Sequence, residues 1–95
     1  RENRVLAARE GEKLLGFLRF GRERKVSVLW QIAVAPDGRG KGIGSSLVQD
    51  WLVIERDEAA KFQLWVREDN PSALRMYGAS GFLPDGRIAP VMMKK

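Results

Sequence analysis

The 95-residue chain contains neither cysteine nor histidine. Without cysteine there are no disulfides, no thiolate metal ligands and no cysteine nucleophile. Without histidine, zinc sites built from His and Cys are excluded too, and any general acid or base must come from Glu, Asp, Tyr, Lys, water or the termini. No apolar run approaches the roughly 18–20 residues that a membrane span needs. No signal-peptide pattern opens the chain, so the expected location is the cytoplasm. Repeats, low-complexity tracts and linkers are missing, and residues 1–95 read as a single domain. A domain this small has modest stability of its own, so a bound ligand or a partner subunit would help it noticeably.

What the chain does have is positive charge. Seventeen Lys and Arg stand against twelve Asp and Glu, a net charge of +5. That balance suits a polyanion or a small anionic cofactor, and equally a plain solvated surface. No aromatic RNA-binding motif, zinc-finger spacing or basic coiled-coil arm accompanies the charge, so nucleic acid is the weakest of these readings.

Hydrophobic patterning gives a mixed α+β order. Arg4 to Arg9, Leu14 to Phe20 and Val26 to Ala35 read as three strands joined by a polar turn at Glu10–Lys13 and a charged turn at Gly21–Lys25, hence an antiparallel meander. From about Lys41 to Glu58 the apolar positions Ile43, Leu47, Val48, Trp51, Leu52 and Ile54 recur at helical spacing, with Glu55 as a polar alternative to Ile54. Phe62 to Val66 is a short buried strand, expected to run parallel to the strand before the helix because a helical crossover separates them. Asn70 is a good N-cap, Pro71 suits the first helical position, and Gly81 reads as a left-handed stop with Phe82 folding back. Ile88 to Lys95 can form one short final strand.

Between the third strand and the long helix lies the densest signal, IAVAPDGRGKGIGSSL from Ile32 to Leu47. An apolar strand stops at Pro36, four glycines (Gly38, Gly40, Gly42 and Gly44) fall within seven residues, and a helix opens. Such a loop is expected to take positive φ and to present the first free helix N–H groups to a phosphate, with Arg39 and Lys41 adding charge. It is not a P-loop, because Lys41 is followed by Gly42 rather than Ser or Thr. A dinucleotide-binding fingerprint needs an all-parallel unit and fits poorly after a proline.

Two segments together resemble the GNAT superfamily of N-acetyltransferases. Val34 to Gly44 is similar to that family's acetyl-CoA signature R-x-x-G-x-G, with Arg39, Gly42 and Gly44 in place. Asn70 to Phe82, NPSALRMYGASGF, is similar to its second conserved segment N-x-x-A-x-x-x-Y-x-x-x-G-F. The resemblance covers roughly Gln31 to Phe82. It implies an N-acetyltransferase that moves acetyl from acetyl-CoA to a primary amine of a small molecule or peptide.

By that resemblance the cofactor's diphosphate would lie on Arg39, Gly40, Lys41, Gly42, Ile43, Gly44 and Ser45. The backbone of Ile32, Ala33 and Val34 would meet the pantetheine arm and the thioester carbonyl, where donors aimed at developing negative charge act as an oxyanion hole. Asn70 would cap its helix and meet the same arm. Tyr77 stands at the family position of the acid that protonates the leaving thiolate, although a packed aromatic is its ordinary role. No metal is implied. Many relatives carry a Glu as base on the strand after the long helix; here that position is Trp65, which accepts no proton, and Glu68 or Asp69 would have to act through water or not at all.

The resemblance also implies that the family's first strand and two covering helices are missing before residue 1, so that an apolar sheet face and an edge strand lie open. From that we expect a homodimer. A non-catalytic acyl-CoA-binding module is the alternative from another functional class.

Overall fold

The computed structural model describes residues 3–67, 69–84 and 91–94. Strands β1 (Asn3–Glu10), β2 (Lys13–Glu23) and β3 (Val26–Val34) form the meander, followed by a 3-10 turn at Pro36–Gly38 and helix α1 (Ile43–Glu55). Strand β4 (Lys61–Trp65), helix α2 (Pro71–Ala79) and strands β5 (Leu83–Pro84) and β6 (Val91–Lys94) complete the order. The strands make one mixed sheet in the order β1-β2-β3-β4-β6-β5. β3 and β4 are parallel, as the helical crossover requires, and the other pairs are antiparallel.

Several boundaries differ from the sequence reading, each for a local reason. β2 does not end at Phe20: it pairs through Glu23 with Val26, which leaves a two-residue turn at Arg24 and Lys25. Arg24 closes that turn at φ 58°, in the left-handed region that L side chains disfavour. α1 is shorter than Lys41–Glu58, because Gly42 sits at φ 74° as its N-cap and the chain leaves the helix after Glu55. Two strands rather than one follow Phe82, since the two-residue β5 pairs with β6. Residues 88–90 and 95 of the expected final strand lie outside the described residues.

Alternation along β2, β3 and β4 sends Leu18, Phe20, Leu29, Phe62 and Leu64 to one face of the sheet, where α1 and α2 lie side by side. Trp51 of α1 is fully buried at the centre, stacked on Phe82 at 5.9 Å and edge-on to Phe62 at 5.3 Å. Truncating such a residue to alanine typically costs about 3–5 kcal/mol. Gln49 of α1 donates to the Ser80 hydroxyl at the end of α2, 3.1 Å away, and ties the helices together.

The buried stripe of α1 runs Leu47, Val48, Trp51 and Glu55, whereas Ile54, expected inside, is exposed. A carboxylate takes the inner place because it has partners there. Ser27 Oγ accepts from Trp51 Nε1 at 2.9 Å and donates to Glu55 Oε1 at 2.8 Å, while Arg22 Nε stands 3.7 Å from the same oxygen. Among the described residues no buried side-chain polar atom lacks a partner. The other face of the sheet carries no helix among the described residues and leaves Val5, Trp30 and Trp65 exposed.

Candidate functional site

The parallel pairing of β3 and β4 stops early. The register runs from Val26 opposite Lys61 to Leu29 opposite Leu64 and no further. On its other side β3 stays paired with β2 as far as Val34 opposite Gly16. Trp30 has no opposing residue in β2, because Arg19 faces Gln31 and the next residue, Phe20, faces Leu29. That one-residue bulge bends β3 away from β4 just where their ladder ends. From Trp30 onward, the backbone groups of β3 that point towards β4 have no strand to pair with.

The parted strands enclose a groove of about 440 Å³. Ile32, Ala33 and Val34 line one side, Trp65, Val66 and Arg67 the other, and Gly44, Asn70, Met76 and Tyr77 close it from the helices. The mouth of α1 therefore opens beside the unpaired edge of β3. In α1 the first amide bonded to a backbone carbonyl is that of Ser46, which donates to Gly42 at 3.0 Å. Upstream, Gly38 and Arg39 donate to Ala35 and Pro36. The amides of residues 40–45 thus donate to no backbone carbonyl among the described residues, and no side chain caps the helix. Aligned free amides at the positive end of a helix dipole attract an anion.

The glycines divide into two kinds. Gly40 (φ 77°) and Gly42 (φ 74°) take the expected left-handed conformation, and a Cβ on either would meet nothing within 4 Å. Gly38 and Gly44 do not have positive φ, which corrects the reading of all four as left-handed. Their reason is close packing: a Cβ on Gly38 would come within 2.9 Å of the Leu15 carbonyl, and one on Gly44 within 3.3 Å of Met76 Sδ. Arg39, Lys41 and Ser45 are exposed around the loop and Ile43 is half-buried.

α2 is fixed at both ends. Asn70 Oδ1 accepts from the Ala73 amide at 3.1 Å, the expected N-cap. At the other end the Phe82 amide donates to the Tyr77 carbonyl and the Gly81 amide to the Gly78 carbonyl, both at 3.0 Å, with Gly81 at φ 98°. This is a Schellman motif, with the expected contact of Phe82 back onto Tyr77.

The Tyr77 ring is buried, and desolvation pushes its phenol above the ordinary value of 10.0. Tyr77 lines the groove, and its hydroxyl makes no hydrogen bond within the described residues. Of the carboxylates considered as base, Glu68 lies outside the described residues. Asp69 is clamped by two bonds from Arg67, Nε to Oδ1 at 3.0 Å and a second nitrogen to Oδ2 at 3.1 Å. The guanidinium holds that carboxyl below its usual range, which makes it a poor proton acceptor.

The structure thus brings Ile32 to Val34, Gly44, Asn70 and Tyr77 around one groove, whereas Arg39, Gly40, Lys41, Gly42, Ile43 and Ser45 are not among the residues that line it. It adds Trp30, Arg67 and Met76, which sequence reading did not single out, and it gives Trp65 a place on the wall. Tryptophan in a strand reads as ordinary packing, and nothing local in the sequence shows that the β3–β4 ladder ends at Leu29 and Leu64, just before Trp30 and Trp65.

The sequence profile described as the Acetyltransferase (GNAT) family matches residues 1–82. The chain belongs to that family. Among curated relatives, mycothiol acetyltransferase of Rhodococcus jostii is 34% identical over 85 residues, covering 82% of this chain and 28% of the relative. The UPF0157 protein YqkA of Bacillus subtilis is 29% identical over 79 residues, covering 83% of this chain and 23% of that protein. Among solved structures, the PaiA N-acetyltransferase of Thermoplasma acidophilum, crystallised with coenzyme A, superposes with a TM-score of 0.88 at 22% identity, over 98% of this chain and 60% of that one. The GNAT-like fold is therefore the fold of this chain, which spans about a quarter of the length of these curated relatives.

Proposed function

We propose that this protein is an N-acetyltransferase that uses acetyl-CoA and a primary amine. The observation that carries the reading is the row of free amides at residues 40–45, set beside a β3 edge that has no strand to pair with. A diphosphate suits this loop: the amides of residues 40–45 have no backbone acceptor among the described residues, a Cβ on Gly40 or Gly42 would meet nothing within 4 Å, and Arg39 and Lys41 stand close in sequence. Bound there, acetyl-CoA supplies an activated acetyl group on a thiol that leaves readily.

The chain's own groups then divide the work. Amides of residues 40–45 hold the diphosphate, and the free edge of Ile32 to Val34 orients the pantetheine arm as a further strand would. A donor from that edge at the thioester oxygen stabilises the charge that develops during attack, typically by about 3–4 kcal/mol. The amine nitrogen forms a bond to the acetyl carbon, the carbon–sulfur bond breaks, and the amine's proton is lost to water. Tyr77, neutral and lining the groove, gives its proton to the departing sulfur and regains one from solvent. Asn70 carries two tasks, capping α2 and facing the arm.

We read the protein as cytoplasmic, and the exposed β1 edge as the place where two copies pair; light scattering at micromolar concentration tests the pairing. The activity itself is tested by calorimetry with acetyl-CoA, CoA and ATP, followed by thiol release with an amine panel. Heat with both CoA species and thiol release that depends on amine are expected. Heat without release would leave a binding module, and no heat would end the reading.

A further inference from the structure

The geometry points to Trp30 and Trp65 as the platform that recognises the acceptor, and to a primary amine on an aromatic frame as what it takes. This rests on the acetyltransferase reading above and names its second substrate. The two residues are the next pair after the last parallel pair of β3 and β4. Instead of extending the ladder, their indoles stack, centroids 6.1 Å apart and planes within 12°.

The stack sits where the strands part, and both residues line the groove. By strand alternation Trp65 points to the sheet face away from the helices, since Phe62, Leu64 and Val66 around it are buried on the helix side. The mouth of α1 is taken by the carrier on our reading, so the amine enters from this opposite face and meets the indoles first. Trp30 is 38% exposed and Trp65 48%. Indoles half open to water that also stack on each other hold a large flat apolar surface in one orientation.

Charge narrows the choice. No carboxylate lines the groove among the described residues, and the one charged group that does, Arg67, is a cation already held by Asp69. Among the described residues that line the groove, a polyamine would find no counter-charge and one like charge. A single amine on a flat ring gains stacking on the outer indole face and delivers its nitrogen, neutral when it attacks, towards Ile32 to Val34.

4-Nitrophenethylamine, a primary amine on a ring that quenches indole emission, tests this in two ways. Trp51, fully buried, contributes a constant background. Without acetyl-CoA, saturable quenching is expected in the native protein and in Trp65→Phe, and weakening by roughly three- to tenfold in Trp65→Ala. With acetyl-CoA, the ratio of kcat/KM for phenethylamine over n-butylamine should be well above one, fall towards one in Trp65→Ala through KM, and return in Trp65→Phe. Quenching that stays linear with concentration, or equal rates for the two amines, would overturn the proposal. Failure to bind acetyl-CoA would sink the acetyltransferase reading alone, because the quenching assay needs no carrier.

Discussion

The amide of Phe82 donates to the carbonyl of Tyr77 at 3.0 Å, and the two rings meet edge to face at 6.0 Å. The bond that ends α2 therefore also seats the phenol, and Phe82 carries the contact on to Trp51 in the centre of the core. The conformation of Gly81 makes this possible.

Gly81→Ala forces a β-carbon into a left-handed position at φ 98°. We expect a loss of about 1–2 kcal/mol in urea unfolding, and a lower kcat from a displaced Tyr77. An unchanged unfolding midpoint would mean that the cap contributes nothing.

Gly42→Ala tests the cradle. A Cβ there touches nothing, so the effect comes through the backbone at the mouth of α1. Acetyl-CoA affinity should fall on the order of tenfold, equivalent to about 1.4 kcal/mol. Gly11→Ala carries a similar backbone penalty (φ 63°) in the β1–β2 turn and should leave affinity alone, as calorimetry on both variants would reveal.

Tyr77 sets a pH dependence. Its folded phenol loses its proton at higher pH than an unfolded one, because burial disfavours the anion. The unfolded state therefore releases its proton first, and stability, fully present below pH 10, declines as pH rises through the folded value. Tyr77→Phe should flatten that alkaline decline and slow thiol release while acetyl-CoA binding persists. A steep decline retained in the phenylalanine variant would assign it to other groups.

Ser27→Ala removes the hydroxyl between Trp51 and Glu55, leaving an indole N–H without its acceptor and a buried carboxylate without its nearest donor. Such losses cost about 2–3 kcal/mol, seen as a lower urea midpoint at unchanged slope. Arg24→Gly should act in the opposite sense: relief of φ 58° outweighs the added chain freedom by about 0.5–1 kcal/mol, and Tm rises by roughly 3–6 °C.

The meander, the crossover and both helices were legible because periodicity and punctuation agree there: Pro36 ends a strand, Asn70-Pro71 opens a helix and Gly81 closes it. The glycine loop was legible as a cradle, but not the division of labour within it, since packing against Leu15 or Met76 leaves no local trace in the sequence. Glu55 misled for the opposite reason. A carboxylate at an apolar spacing reads as solvent-facing until its partners, Ser27 and Arg22, arrive from strands about thirty residues upstream. The place of Trp30 was hidden because a bulge is a mismatch between two strands, and neither strand announces it alone.

That mismatch governs more than one side chain. Because β3 holds one residue that β2 does not answer, the cleft is written into the chain's residue count and stands ready before any ligand arrives. Excising Trp30 would let the two central strands zip together along their whole length, trading a reaction chamber for an uninterrupted sheet.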